Sequence, residues 1–147
     1  MGILQSAKVK RRTAAPTPGQ FGQKTCVVLS HSFATVGFTA ATDVLEIGLV
    51  PASAQIINVD AIGEGLGAVT ADVGVMTGTA GDLDDTRDSG AEFIDDGNVN
   101  DATATAAVAD CIAVAPSNVD RGLGIKLSGD VAAGAGKKIT VVLEYIL

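Results

Sequence analysis

In Val69–Met76 the residues Val69, Ala71, Val73 and Val75 alternate with Thr70, Asp72, Gly74 and Met76. A period of two sends successive side chains to opposite faces of an extended chain, whereas a helix repeats every 3.6 residues. The same rhythm returns along the sequence. Val27, Leu29, His31 and Phe33 share one face of Cys26–Ala34, opposite Ser30 and Ser32. Leu123, Ile125 and Leu127 alternate with Gly122, Gly124 and Lys126, and Ile139, Val141, Leu143, Tyr145 and Leu147 line one side of the final stretch. In Gln55–Ile62 the pattern turns Ile57, Val59 and Ala61 inward and Asn58 and Asp60 outward. Val44–Val50 is apolar on both sides except at Glu46, as in a strand buried on both faces, and Pro51 ends it. Such a chain folds as sheet.

Between these runs lie clusters of Gly, Pro, Asp and Ser, which read as turns. The expectation is six to eight short strands in an all-β, antiparallel β-sandwich, jelly-roll-like, with at most one short helix. That helix is placed at Ala102–Ala109, where Ala104, Val108, Cys111 and Ala115 keep helical spacing and Asn100 or Asp101 stands as its cap. Thr77–Asp101 reads as an acidic loop, and the last two runs read as a hairpin joined by Ser128–Gly136. The last run reaches the final residue, so the end of the chain is expected to be held in the sheet.

Charge divides the chain into two parts. Residues 1–24 hold Lys8, Lys10, Arg11, Arg12 and Lys24, and no acidic residue precedes Asp43, giving +5 against −12 over 25–147 within the net −7. Ala14–Gln20 contains two prolines and a glycine, which resist helix and strand. Residues 1–24 are therefore read as a flexible basic N-terminal arm and 25–147 as the β-sandwich domain. Fully extended, the arm reaches roughly 80 Å. A basic arm seeks an acidic surface, while an acidic body disfavours nucleic-acid binding by the folded part. Aromatic residues are only 3%, so the core must be built from small aliphatic side chains, and contacts between copies are expected to complete the burial. No secretory signal and no stretch of about 20 apolar residues is visible, so no membrane is expected as partner. Cys26 and Cys111 are read as free thiols in a reducing cytoplasm.

Motifs of chemistry are few. His31, the sole histidine, lies on an apolar face with Leu29 and Phe33 and is read as packing, not as a catalytic base. With Cys26 and Cys111 it offers too few ligands for structural zinc. Gly63, Gly65 and Ala68 match G-x-G-x-x-A, but a strand-patterned segment follows where a dinucleotide site needs a helix, so the glycines are read as a turn. Asp96, Asn98 and Asn100 resemble the start of an EF-hand loop, yet Asp101 stands where glycine is required and Ala107 where glutamate is. Asp95, Asp96, Asn98 and Asn100 are left as candidates for an irregular cation site. Met1–Ser6 fits the N-myristoylation pattern, with Lys8–Arg12 as a polybasic second signal. No cofactor is called, and the chain is expected not to be an enzyme.

The stretch Asp43–Ala52, continuing through Ile56–Asp60 and Gly67–Gly74, and the closing Lys138–Tyr145 resemble small proteins of tailed bacteriophages made alongside the major capsid protein. The pattern is a hydrophobic strand ending in Pro, an apolar strand, then a T-x-D-V-G strand. The resemblance spans roughly residues 43–147. It implies a capsid decoration, or cement, protein: a structural virion protein on the outer surface of the capsid, met in the host cytoplasm during assembly. Its expected partners are the major capsid protein and itself, as a homotrimer. Beyond the resemblance, Ile3, Leu4, Lys8, Val9, Lys10, Arg11 and Arg12 are read as the arm's contacts with a partner. The other function weighed is a lectin-like or tail-associated binding module that uses the acidic 82–101 loop, with Ca²⁺, to recognise a glycan.

Overall fold

The computed structural model describes residues 23–147. They form β1 (Thr25–Ser32), β2 (Leu45–Val50), β3 (Gln55–Glu64), β4 (Thr70–Val75), β5 (Ile94–Asn98), β6 (Thr103–Thr105), α1 (Val108–Ala113), β7 (Arg121–Leu127) and β8 (Lys138–Ile146). The fold is an all-β sandwich of two antiparallel four-stranded sheets, ordered β1-β8-β3-β6 and β2-β7-β4-β5. The pairings β1–β8, β2–β7, β3–β6 and β4–β5 are those of one long hairpin of paired strands rolled on itself, and β3–β8 and β4–β7 close the roll. That is a jelly roll, two Greek keys in eight strands.

Alternation decides what fills the sandwich. Val59, Ala61, Ala71, Val73, Leu123, Ile125, Ile139, Val141 and Leu143 point between the sheets and are almost wholly buried, together with Phe33 and Phe93. The chain thus meets its aromatic shortage with β-branched and leucine side chains at interdigitating positions. β8 is one of the two inner strands of its sheet, hydrogen-bonded to β1 on one side and β3 on the other, and it runs to Ile146.

Four expectations are corrected. β7 and β8 do not form a hairpin: they lie in different sheets, and residues 128–137 cross from one layer to the other. Periodicity is local and cannot tell a neighbour in the chain from a neighbour in the sheet. In β3 the register shifts between Ile56 and Asn58, so Ile56, not Ile57, enters the core with Val59. A bulge adds a residue and reverses the faces before it. The Ala102–Ala109 helix is absent. Thr103–Thr105 is a strand on β3, its β-branched residues suiting a pleated edge, and the helix begins at Val108. Its cap residue, Ala107, makes no side-chain bond; Asp101 instead accepts a hydrogen bond from the Gly65 backbone N–H at 2.8 Å. Finally, the acidic 77–101 segment contains β5, paired with β4.

Candidate functional site

The outer faces of the two sheets differ, and small residues explain why. Across the outside of the β2-β7-β4-β5 sheet, Glu46, Gly124 and Gly74 stand in one row, with Gly122 beside Leu49 in the next. Three glycines leave a shallow trough, and residues 77–93 fold back over it as a flap. A Cβ at Gly124 would strike Ser89 and Met76; one at Gly74 would strike Glu92 and the Gly90 carbonyl; one at Gly122 would strike the Glu46 carboxylate. These glycines are present for close approach.

Arg87 staples the flap down. Its side chain is 5% exposed, and its guanidinium donates to both Glu46 carboxylate oxygens, at 2.5 and 3.3 Å. It also donates to the carbonyls of Thr77 (2.8 Å) and Asp82 (2.6 Å). A planar, always-charged fork suits such convergent binding. The Arg87 hydrogen bond holds the Glu46 carboxyl below the usual range, and Glu46 in turn raises the Arg87 value further. Glu46 also accepts the Gly81 N–H at 3.0 Å. At the flap's far end the Val75 N–H donates to Glu92 at 2.9 Å, and Asp88 pairs with Lys126 at 3.2 Å. The Asp84 carboxyl is lowered chiefly by the Thr86 backbone N–H, that of Asp88 chiefly by the Ser89 N–H.

Between this flap and β2 lie two depressions. One is an acidic cleft of about 420 Å³, lined among others by Asp43, Glu46, Asp82, Asp84 and Asp85, with Leu83 97% exposed at its lip. The other is a hollow of about 430 Å³ formed by Leu49, Gly78, Thr79, Ala80, Val119 and Asp120. Leu49 and Val119 are both exposed.

The β1-β8-β3-β6 sheet has no such cover among the described residues. Its outer face carries the rows Val28, Val142, Asp60, Thr105 and Ser30, Thr140, Ile62, Thr103. Its charged groups include Asp60 within those rows, the pairs Lys24–Glu144 (3.1 Å) and Lys138–Glu64 (3.3 Å) toward its ends. Val28 is 65% exposed.

The residues singled out from the sequence fall as follows. Ile3, Leu4, Lys8, Val9, Lys10, Arg11 and Arg12 lie outside the described residues, as does the Met1–Ser6 motif. Asp95 and Asp96 do converge, with Asp72 as third member and one carboxylate oxygen from each lying within 4.8 Å of the others. The sequence pattern does not single out Asp72, because its meeting with Asp96 depends on the β4–β5 pairing. Two of these carboxylates serve the backbone and a neighbouring hydroxyl: Asp72 accepts the Asp96 N–H (2.8 Å) and Asp96 accepts the Thr70 hydroxyl (3.1 Å). Asn98 accepts the Asn100 N–H at 3.0 Å. His31 packs edge-on against Phe33, ring centres 4.9 Å apart. Cys26 is exposed and Cys111 buried, both free, and burial pushes the Cys111 thiol up. Gly65 and Gly67, at φ 66° and 82°, make the turn from β3 into β4, with no helix following. Among the described residues no helix is long and apolar enough to cross a membrane.

No family model matches the chain, and no curated protein matches it by sequence. Among solved structures, a chain in the capsid of Ralstonia phage GP4 is similar to it, with TM-score 0.77 and 24% identity over 92% of this chain and 91% of that one. A chain in the cyanophage Pam1 capsid asymmetric unit is similar with TM-score 0.65 and 21% identity, covering 100% and 99%. At these identities the likeness is one of fold.

Proposed function

We propose that this chain is a structural protein of a phage virion, and more specifically a decoration, or cement, protein that binds the outer surface of the capsid. The observation that carries this reading is the end-to-end match of the whole jelly roll to chains found within two phage capsids.

The surface supports the same reading. One sheet face is partly covered by its own flap, and the described residues present the other as a broad, weakly charged panel of Val, Thr, Ser and Ile. Panels of that kind suit contact with another protein surface. In this proposal the panel mediates self-association, expected as a homotrimer, and the basic residues 8–12 contact acidic surface on the major capsid protein or a neighbouring copy. Each exposed ion pair contributes only about 0–1 kcal/mol. Many repeats across a shell make such contacts effectively intramolecular, and small increments become a stable lattice.

Virions purified from the phage that encodes the chain should contain it in many copies, and heads assembled without it should lose DNA at a lower temperature until the protein is added back. Its absence from purified virions would overturn the reading. The glycan-binding alternative uses the 82–101 segment, with or without Ca²⁺, and calorimetric titration with Ca²⁺ and with glycans tests it. The capsid reading is preferred here because the fold likeness spans the whole jelly roll.

A further inference from the structure

We propose that the composite groove between β2 and the flap is the docking site for the chain's own N-terminal segment, residues 3–12, with Ile3 and Leu4 in the apolar hollow and the cations of 8–12 along the acidic cleft.

Both depressions take one wall from the flap and one from β2 or the residues before it, and Val119 and Asp120 complete the hollow. The flap contributes Gly78–Ala80 to the hollow and Asp82–Arg87 to the cleft, while β2 and the residues before it contribute Leu49 to the first and Glu46, Val44 and Asp43 to the second. The two depressions therefore follow one another along a single edge, apolar then acidic, on either side of the bonds by which Gly81 and Arg87 hold the flap to Glu46. The N-terminal segment runs from apolar to basic: Ile3 and Leu4, then Lys8, Lys10, Arg11 and Arg12, with no carboxylate among them. Two independent properties match, in the same order.

Length matches as well. From Leu49 back to Val44 a strand covers roughly 17 Å at about 3.3 Å per residue. From Leu4 to Lys10 an extended segment covers roughly 20 Å. Residues 13–24, extended, reach roughly 40 Å more, enough to lead from β1 to a groove on the same molecule or the next. Glu46 is already neutralised by Arg87, so the carboxylates offered to the segment are those of Asp43, Asp82 and Asp85. Leu83, exposed at the lip, offers Val9 an apolar contact.

The chain has no tryptophan, so Leu4→Trp introduces a single reporter. In the full-length protein its emission should be shifted to the blue and its quenching by acrylamide weakened, relative to the same substitution in a synthetic peptide of residues 1–20. Adding Leu49→Asp should return both to the peptide values, and so should Asp82→Asn with Asp85→Asn. Melting of each variant checks that the sandwich persists. Should a groove variant not fold, raising salt on Leu4→Trp alone gives the same test, because screening to a Debye length of about 3 Å at 1 M releases the cationic part. Dilution shows whether the groove belongs to the same copy or a neighbour. Emission that equals the free peptide, or a blue shift that neither salt nor the groove substitutions alter, would overturn the proposal. The test uses the isolated protein, so its failure is separable from that of the shell reading.

Discussion

Gly124 and Gly67 look equivalent in a sequence and are not. Gly67 adopts φ 82° with nothing within 4 Å of a built Cβ, so only backbone strain opposes a substitution there. Gly124 lies beneath Ser89 and Met76. Gly124→Val is expected to lower stability by about 1–3 kcal/mol, the range for overpacking, and to increase hydrogen exchange across 77–93. Gly67→Ala should leave exchange in that segment unchanged. Glu46 supplies a pH dependence. Its folded-state value is lowered, so its contribution is complete above the usual carboxylate value of about 4.3 and is lost as pH falls through the lower folded value. Acid should therefore loosen the flap before the core, and Glu46→Gln should loosen it at neutral pH and flatten that dependence; exchange of the 77–92 amides measured from neutral to acid pH checks both. Little of this was legible beforehand. Gly122 and Gly124 could be seen alternating with Leu123 and Ile125, but what covers them comes from a segment some 35 residues away in sequence. Arg87 carries no motif, since half of its hydrogen bonds go to backbone carbonyls and the rest to Glu46, 41 residues away.

At the scale of elements, β8 governs its sheet. Leu143 is fully buried, and its residue is paired with Val27 on one side and Val59 on the other. Leu143→Ala is expected to cost about 2–5 kcal/mol through lost transfer energy and the cavity left behind, seen as a lower midpoint in denaturant melts. Val28→Thr, on the exposed face of β1, should be close to neutral in the isolated chain. Strands with unbroken alternation, such as β4 and β8, were legible because one face must be buried and the period is local. What failed was non-local or irregular: the bulge at Ile56–Asn58, the assignment of β7 and β8 to separate sheets, and the helix displaced from 102–109 to 108–113 by the strand at Thr103–Thr105. The candidate cation ligands were legible only in part, for the same reason: Asp72 joins Asp95 and Asp96 through pairing that no local pattern encodes.

For the whole molecule, the dominant feature is opposite charge separated along one chain, +5 over 1–24 against −12 over 25–147. The acidic side is partly spent, within the body in Glu46–Arg87, Asp88–Lys126 and Glu64–Lys138 and against the end of the basic segment in Glu144–Lys24, and Asp82 and Asp85 lie along the open cleft. A molecule of this kind is suited to repetitive assembly, where a folded panel and a charged extension each make modest contacts. Removing residues 1–22 is expected to leave the sandwich folded, with near-native circular dichroism, while weakening attachment to a shell and its salt sensitivity. The most direct test is titration of the purified protein onto intact heads of its phage prepared without it, with bound copies counted after sedimentation. The account predicts saturation at a fixed number of copies per shell, with lower occupancy for the chain lacking residues 1–22. Folded protein that fails to bind intact heads at any concentration would contradict it.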